Sequence, residues 1–446
     1  MKTPICDFVE NYINKKSLRL HTPGHKGNGF LGVEKYDITE IDGADELFLP
    51  KGIIKSSEHN ATTIFKCPTY YSCEGSSHAI RSMLYLAYLY SKRLDKDFVI
   101  LSTKNVHKSF LSGVALLRAK INWIEGKNRN NYLDDDISKE EIDIYLEHTK
   151  IKPLCLYLTS PNYLGRILDI KGISEVCKKH GVLLLLDNAH GGYLHFLKES
   201  LHPIGLGADM CCTSAHKTLP VLTGGAYLQL SEELNEILSG DINLALSMFG
   251  STSPSYLILQ SLDYANLIFS KNYKKSVQLT QSLVDDLKKS LIKKGYVLLG
   301  NEPLKVVLST KSYGYLGVEI KNLLQENNIT CEFCDNDFLV LIFSTEVKKS
   351  AFNKIKKFFE NLPKKLPIKK PIVKPISHEK SMEIYEAVFA KTEVIPVNKS
   401  LGRICAEINY SCPPAVPVII CGEIINEETI KRFHYYNIKK IRVVIE

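Results

Sequence analysis

The stretch VLLLLDNAH, residues 182–190, joins five apolar residues directly to a polar segment. A run that is apolar on both faces is typical of a parallel strand buried between two layers of helices. The helical pattern KGISEVCKKHG precedes this run, and another strand-like segment, ADMCCT at 208–213, follows it. The same alternation of helical and strand patterns extends from residue 61 to about 265. It predicts a doubly wound α/β domain with a mainly parallel sheet.

Composition and periodicity also predict the segments that flank this large domain of residues 61–265. Residues 1–60 are rich in turn signals and poor in periodic runs, which predicts an irregular N-terminal arm. Residues 266–362 alternate helix and strand patterns again and are predicted to form a smaller α/β domain. The prolines of LPKKLPIKKPIVKP recur every four residues, which excludes a helix and predicts an extended basic linker over 363–376. Residues 377–446 are predicted to form a short C-terminal module.

The overall composition is that of a globular protein. Of the 446 residues, 44% are hydrophobic and 24% are charged. No apolar run approaches the roughly 18 residues that span a bilayer, and the start of the chain lacks the apolar core of a signal peptide. A cytoplasmic location without membrane contact is therefore expected. The net charge of +8 lies largely in lysine tracts, which are typical of solvated surface, so no nucleic-acid partner is expected.

No metal site is predicted from the cysteines. The twelve cysteines are scattered, without the paired CxxC spacing that builds a zinc site. The single CEFC at 331–334 lies in a segment that is interpreted as a strand and its turn. Reduced thiols in a cytosol explain this usage most simply.

Polar side chains follow four predicted strands, at the edge where open parallel sheets bind their ligands. Each set alone is explained by turns, which favour Asp, Asn and Ser. Together the sets bring a carboxylate, imidazoles, hydroxyls and a lysine to one edge. Position does not decide between Lys108 and Lys217 as the reactive amine, because both follow a strand and a histidine. The strand-end residues are Asn105, His107, Lys108, Ser109, Pro161, Asn162, Asp187, Asn188, Ala189, His190, Ser214, His216 and Lys217.

The sequence GSS at 75–77 opens a further helical pattern. Its amides and hydroxyls can hold an anion at the positive end of the helix dipole, although an ordinary serine cap would look the same. With the strand-end residues it supplies a phosphate site, an amine for a Schiff base and an acid for a pyridinium nitrogen, the usual protein contributions to pyridoxal-phosphate chemistry. P-loop and nucleophile-elbow motifs are absent from the sequence, which argues against nucleotide hydrolases and α/β-hydrolases.

These motifs resemble the Orn/Lys/Arg decarboxylase family of pyridoxal-phosphate enzymes, in its compact form from Gram-positive bacteria. The likeness runs nearly end to end, with the motifs in the family's order: TPGHKG, DITEIDGADELFLPKGII, NVHKS, SPNYLGRILDI, DNAHGGYLHF, SAHKTLPVLTGG, STSPSYLILQSLD and GRICAEI. The resemblance implies PLP fold type I, related to aspartate aminotransferase, with a seven-stranded type of sheet. It implies a lyase that decarboxylates arginine, lysine or ornithine for polyamine or diamine synthesis. It also implies a homodimer or larger assembly with shared active sites.

The resemblance assigns the catalytic roles as well. Lys217 would form the Schiff base with pyridoxal 5'-phosphate, which decides between the two lysines. Asp187 would pair with the pyridine nitrogen. Ala189 would pack against one face of the ring, and His107 would stack on the other.

Further residues are implied for the phosphate and the substrate. The distal cation of a basic substrate needs an acid, and Glu407 and Asp45 are the candidates, although for each of them a solvated carboxylate is the more common explanation. The phosphate ligands implied by the resemblance are Ser76, Ser77, Ser214 and His216, with Ser251 and Thr252 from a second subunit.

The chain departs from the family's usual pattern at several positions. Asn188 and Tyr193 stand where Glu and His are common, and Glu74 stands where Asn is usual. YSCPPAVP replaces a Tyr-Pro-Pro-Gly-Ile-Pro run near the end. The residues implied to bind the cofactor are kept, whereas the choice of substrate stays open. An aminotransferase or lyase of the same fold type, or a cofactor-binding relative with little activity, are the alternatives.

Overall fold

The computed structural model describes residues 1–126, 132–134, 136–369, 376–409 and 414–445. Part of the predicted linker and the first half of YSCPPAVP lie outside these residues. The helices are α1 (Pro4–Asn14), α2 (Ile53–Phe65), α3 (Gly75–Arg93), α4 (Lys108–Leu117), α5 (Lys139–His148), α6 (Ile170–His180), α7 (Ala215–Thr218), α8 (Glu232–Leu238), α9 (Ile242–Ser247), α10 (Tyr256–Phe269), α11 (Tyr273–Lys294), α12 (Gly317–Glu326), α13 (Lys349–Asn361), α14 (Ile384–Phe389) and α15 (Glu427–Tyr435).

The strands form a large sheet, a second sheet and a separate pair. The large sheet has seven strands in the order β1-β7-β6-β5-β4-β2-β3, the second has four in the order β10-β11-β9-β8, and β12 pairs with β13. The strands are β1 (Thr69–Ser72), β2 (Val99–Ser102), β3 (Lys120–Trp123), β4 (Cys155–Thr159), β5 (Leu183–Asp187), β6 (Met210–Thr213), β7 (Ala226–Leu230), β8 (Val297–Leu299), β9 (Lys305–Ser309), β10 (Phe333–Cys334), β11 (Phe338–Ile342), β12 (Thr392–Pro396) and β13 (Lys440–Val444).

The large sheet is mixed but mainly parallel, as predicted. β5 is parallel to β6, and β2 is parallel to both β3 and β4, whereas β7 runs antiparallel to β6 and β1. The apolar run of the opening stretch forms β5, and Leu184, Leu185 and Leu186 are fully buried. The α/β fold with this sheet, a second sheet and a C-terminal module confirms the predicted fold class. No helix in the described ranges has the length and apolarity to cross a membrane.

The chain divides into two compact units. Unit 1 comprises residues 1–96 and 183–278, and unit 2 comprises residues 97–182 and 279–446. The domain limits proposed from the sequence stay a prediction.

The first part of unit 1 corrects one expectation, because residues 1–60 are not irregular throughout. α1 lies in the predicted arm, and α2 begins there. α1 begins at a proline and is amphipathic, with Ile5 and Val9 buried. Asp263 caps its start, because it accepts hydrogen bonds from the amides of Ile5 and Cys6, both at 3.0 Å. This cap comes from another element, so the sequence of α1 itself does not reveal it.

Unit 2 joins the second sheet to the C-terminal module through one apolar core. Val307 and Val340 of the second sheet belong to the same buried cluster as Phe433 and Val443 of the module. A buried ion pair lies at the start of β9, where Lys305 Nζ is 2.7 Å from Glu302 Oε2. The module therefore folds onto the sheet rather than forming an independent core.

Glu58 is a buried acid in unit 1 with little compensation. It is 3% exposed, and its Oε1 accepts a hydrogen bond from the amide of Tyr71 at 3.0 Å. Among the described residues no donor reaches its Oε2. Burial raises the pKa of Glu58 from 4.5 to about 7, against the lowering effect of the Tyr71 amide. The charged form is thus disfavoured in the folded protein.

We expect Glu58→Gln to stabilise the protein at pH 8 but not at pH 5. The carboxyl ionises near pH 4.5 when unfolded and near pH 7 when folded, so unfolding becomes easier as pH rises through this window. Removing the charge should raise the unfolding free energy at pH 8 by up to about 3 kcal/mol. Chemical denaturation at both pH values measures the gain. The exposed Glu236→Gln is the control, and an equal effect of Glu58→Gln at the two pH values would contradict the expectation.

Candidate active site

Three strands of unit 1 present their carboxyl ends at one edge of the sheet. β5 is parallel to β6, and β1 points the same way as β6 because both are antiparallel to β7. Asp187 ends β5, Ser214 directly follows β6, and Gly75 begins α3 shortly after β1. This edge therefore collects the unit 1 residues that the sequence predicted to lie together.

Hydrogen-bond donors cluster where α3 begins. The Oγ atoms of Ser76 and Ser214 lie 2.7 Å apart, and Ser77 occupies the same turn. Glu74, at the N-cap position, accepts a hydrogen bond from the amide of Ser251 at 2.5 Å. Gly75 has a φ of 71°, a left-handed conformation that residues with a side chain disfavour. Because the first amides of a helix carry partial positive charge, this end is suited to an anion such as phosphate.

His216 adds a titratable donor to this cluster. Its Nδ1 lies 3.1 Å from the carbonyl oxygen of Gly225, so Nδ1 carries the proton of the neutral ring. Burial lowers the pKa of His216, and the charge of Lys217 acts in the same direction. A dianion would act in the opposite direction, since it stabilises the charged imidazole.

Lys217 lies in the short helix α7 and contacts a second histidine. Its Nζ is 3.2 Å from Nε2 of His190. His190 is 5% exposed and lies three residues after Asp187. His190 was predicted as a strand-end residue without a role. Its position shortly after β5 is the feature of the sequence that indicates a place in the site.

Asp187 is held at the end of β5 as a buried carboxylate. It is 2% exposed. Its Oδ1 accepts a hydrogen bond from the amide of Ala189 at 3.0 Å and lies 3.6 Å from Sγ of Cys212. These contacts offset part of the cost of burying a charge.

Two of the departures from the family pattern are core residues. Asn188 is fully buried and donates from Nδ2 to Oγ1 of Thr213 at 3.0 Å. A Cβ atom at Gly191 would lie 1.9 Å from Oδ1 of Asn188, so a side chain at position 191 would force Asn188 to shift. Tyr193 is also fully buried. These two side chains therefore pack in the interior of unit 1.

Two predicted site residues belong to unit 2. His107 is the N-cap of α4, where its Nδ1 accepts a hydrogen bond from the amide of Ser109 at 3.2 Å. Glu407 is half-buried, and its Oε1 accepts from the amide of Asn409 at 2.7 Å. Their predicted roles beside Lys217 stay predictions.

Ser251 and Thr252 are exposed in unit 1. Thr252 lies at an open cavity of about 850 Å³, which Leu49 and Leu244 also line. The predicted contact of these two residues with the phosphate of a second subunit stays a prediction.

Asp45 has a structural contact for each of its oxygens. Oδ1 accepts from the amides of Glu46 and Lys51 at 3.2 and 2.9 Å. Oδ2 accepts from the amides of Gly52 and Ile54 at 2.7 and 3.1 Å, at the start of α2. With 7% exposure, Asp45 is a helix cap, and the structure gives no support for its predicted contact with a substrate.

Comparison with solved structures gives the class of this fold. Lysine decarboxylase A from Pseudomonas aeruginosa superposes with a TM-score of 0.80 at 16% sequence identity, covering 99% of this chain and 80% of that chain. At this identity the likeness shows the fold alone, an α/β fold with a seven-stranded, mainly parallel sheet.

Comparison with family models identifies the chain further. The model for the Orn/Lys/Arg decarboxylase major domain matches residues 3–295, and the model for the family's C-terminal domain matches residues 372–441. This chain belongs to the Orn/Lys/Arg decarboxylase family. It is 29% identical to the arginine decarboxylase of Bacillus subtilis over 467 residues, 96% of this chain and 92% of that protein. The arginine decarboxylase of Halalkalibacterium halodurans is also 29% identical, over 469 residues with the same coverage.

This membership confirms the predicted reaction, the decarboxylation of a basic amino acid, in a family that uses pyridoxal phosphate. The described residues fit that cofactor. The strand edge of unit 1 combines an amine at Lys217, a buried carboxylate at Asp187 and an anion-binding helix start at Ser76.

We expect Asp45→Asn to destabilise the protein without changing its use of substrate. An amide replaces one acceptor oxygen with a donor that faces backbone amides, so the cap of α2 is lost. The free energy of unfolding should fall by about 2 kcal/mol. Thermal unfolding and the KM for arginine measure the two effects, and Asp42→Asn at the exposed neighbouring position is the control. A tenfold higher KM at unchanged stability would restore Asp45 as a substrate residue.

Proposed function

We propose that this chain decarboxylates arginine with pyridoxal 5'-phosphate bound covalently through Nζ of Lys217. The observation that carries this proposal is the joint position of Lys217, Asp187 and the donors around Ser76 at one strand edge of unit 1. We propose arginine rather than lysine or ornithine as the substrate, because the similar proteins from Bacillus subtilis and Halalkalibacterium halodurans are named arginine decarboxylases.

In this proposal His190 handles the proton of Lys217. An ammonium group must lose a proton before its nitrogen can attack a carbonyl carbon. Nε2 of His190 lies 3.2 Å from Nζ of Lys217, within the reach expected of a base. His190 thereby joins Lys217, His107 and Asp187 as a residue of the reaction.

When bound, pyridoxal phosphate supplies an electron sink for the bond that breaks as carbon dioxide leaves. Asp187 would keep a proton on the pyridine nitrogen through a charge-assisted hydrogen bond. Ala189, whose amide donates to Asp187, would pack against one face of the ring, and His107 is the residue that we propose for the other face. These side chains would hold the reacting bond of the substrate in one orientation, which favours loss of the carboxylate over other outcomes.

In this proposal, donors at the start of α3 and directly after β6 would bind the phosphate group. Ser76 and Ser77 contribute hydroxyls and first-turn amides of α3, and Ser214 adds a third hydroxyl. His216 would donate from Nε2 when its ring is charged, and a negative phosphate group favours that charged form. Glu74 is close to these donors, but its carboxylate is exposed and tied to the amide of Ser251, so water screens its charge.

Glu407 is the acid that we propose for the distal guanidinium of arginine. Its carboxylate is oriented by the amide of Asn409, and a planar guanidinium binds a carboxylate with two parallel hydrogen bonds. Asp45 is not part of this proposal, since its oxygens cap α2.

We expect the protein loaded with pyridoxal phosphate to release carbon dioxide from L-arginine. Release from L-lysine and L-ornithine should be slower by about tenfold or more, because a site built for a planar guanidinium leaves its acid poorly paired with an ammonium. Release of labelled carbon dioxide from carboxyl-labelled amino acids is the measurement. Absence of release from all three would overturn the proposed function.

A matched pair of lysine variants tests the covalent link. Lys217→Ala should abolish both carbon dioxide release and the visible absorption band of the lysine-bound cofactor. Lys108→Ala, which also removes a lysine that follows a histidine, should keep the band. A band that persists in Lys217→Ala would exclude this lysine.

We also propose a homodimer with shared active sites. Unit 1 exposes large apolar side chains, among them Leu49 at 62% and Leu244 at 47% exposure, which line one open cavity, and a contiguous apolar surface marks an interface. Leu49 and Thr252 line the same open cavity. A second subunit that covers this surface would receive Ser251 and Thr252 at its phosphate site. The expected cytoplasmic location stays a prediction.

Hybrid dimers test whether the sites are shared. We expect Lys217→Ala chains to be inactive alone and Ser251→Ala/Thr252→Ala chains to be weakly active alone, because each lacks part of every site. Random exchange of the two chains should restore about a quarter of the wild-type activity, since half of the dimers then contain one intact site. Failure of the mixture to gain activity over its components would mean that Ser251 and Thr252 serve their own subunit.

A further inference from the structure

A buried ion pair links the C-terminal module to the loop that follows β2. Lys104 Nζ lies 2.7 Å from Oε1 of Glu423, and the side chains are 11% and 4% exposed. Glu125 is also near the ammonium, with Oε1 at 3.4 Å. Lys104 stands three residues before His107, within the same loop of unit 2.

The other oxygen of Glu423 is engaged by the module itself. Oε2 accepts a hydrogen bond from the amide of Ile420 at 3.0 Å and lies 3.4 Å from Nδ1 of His378. His378 is in turn 2.7 Å, through Nε2, from Oγ1 of Thr429 in α15. The carboxylate is thus oriented before it meets Lys104.

The module holds the same loop on the other side of His107. The amide of Lys108 donates to the carbonyl oxygen of Ala415 at 3.0 Å, and its Nζ donates to Oδ1 of Asn409 at 3.1 Å. The loop is therefore fixed three residues before His107 and one residue after it. Inside the loop, Asn105 accepts through its carbonyl oxygen from Oγ1 of Thr159 at 2.9 Å.

Stability alone does not explain a buried Lys–Glu pair. The desolvation of two charges consumes most of their attraction, and an apolar pair of similar size is often as stable. What such a pair adds is a fixed position for its two side chains, because a buried ammonium must stay beside its carboxylate.

We propose that the C-terminal module positions His107, with Glu423 and Lys104 as the positioning residues. This inference rests on the proposed contact of His107 with the cofactor ring and extends it by assigning a purpose to the module. Neither residue need touch substrate or cofactor, since both act through the loop of residues 104–109.

The test is the double variant Lys104→Met/Glu423→Gln, which removes both charges and leaves an oxygen for the Ile420 amide. In cofactor-free protein we expect amide hydrogen exchange over residues 104–109 to accelerate by about tenfold or more, because the loop opens more easily. In loaded protein the dissociation constant of pyridoxal phosphate should rise several-fold, and the visible circular dichroism of the bound cofactor should weaken. A merely structural role would move the unfolding midpoint and none of these readouts.

The buried pair Lys305–Glu302 supplies the matched control. Its atoms are also 2.7 Å apart, both side chains are 1% exposed, and it lies in the same unit. Lys305→Met/Glu302→Gln should leave exchange over residues 104–109 at the wild-type rate. Acceleration of the same size in this variant would overturn the proposal, since the loop would then respond to stability in general.

His107→Ala, measured in parallel, distinguishes failure of the positioning role from failure of the proposed contact between His107 and the cofactor ring. If exchange over residues 104–109 is unchanged in Lys104→Met/Glu423→Gln while His107→Ala weakens cofactor binding, the positioning role is overturned and the role of His107 stands. If exchange accelerates but neither variant affects cofactor binding, the contact of His107 with the ring is overturned, and the inference falls with it. Faster exchange with weaker binding in both variants supports the inference.

Discussion

The burial of Asp187 at the end of β5 is the constraint on which the strand edge of unit 1 depends. A carboxylate taken out of water needs donors, and the amide of Ala189 supplies one at 3.0 Å. That bond fixes the turn after β5, because the donor lies only two residues from the acceptor. The same turn carries His190 to Nζ of Lys217. The contact between the two proposed proton-handling groups therefore follows from how one buried charge is satisfied.

Other buried acids satisfy the same constraint by joining segments that are distant in sequence. Asp263 caps α1 from α10, and Glu423 reaches Lys104 from the C-terminal module. Asp45 acts locally instead, because its two oxygens accept hydrogen bonds from the amides of Lys51 and Gly52 near the start of α2. Glu58 shows the contrast, since its single amide partner leaves burial as the dominant influence and its pKa rises to about 7. Buried acids in this fold are thus mostly connectors, and their position in the sequence alone does not mark them as ligands.

The difference between local sequence patterns and contacts with distant segments explains which features the sequence could and could not predict. Runs that are apolar on both faces, or apolar at helical spacing, act locally, so β5, α3 and α6 were predicted correctly. The strand-end residues of unit 1 were also predictable, because parallel strands bring their ends together. α1 was missed, and the residue that caps it, Asp263, lies far along the chain. The contacts of Asp45 with the amides around the start of α2 were not visible in the sequence, and they give its predicted substrate contact no support. His190 had the right position, but nothing in the sequence measured its distance to Lys217.

The departures from the family pattern are best understood from the same balance of charge and burial. Asn188 is fully buried beside Thr213, so the Glu that is common there would add a second buried carboxylate next to Asp187. Two like charges this close disfavour ionisation of both, and the amide avoids that cost. Tyr193 fills the core, and Glu74 is held at the surface by Ser251. None of the three replaces an amine, acid or hydroxyl to which a cofactor role is proposed. The departures at these positions are therefore compatible with decarboxylase chemistry.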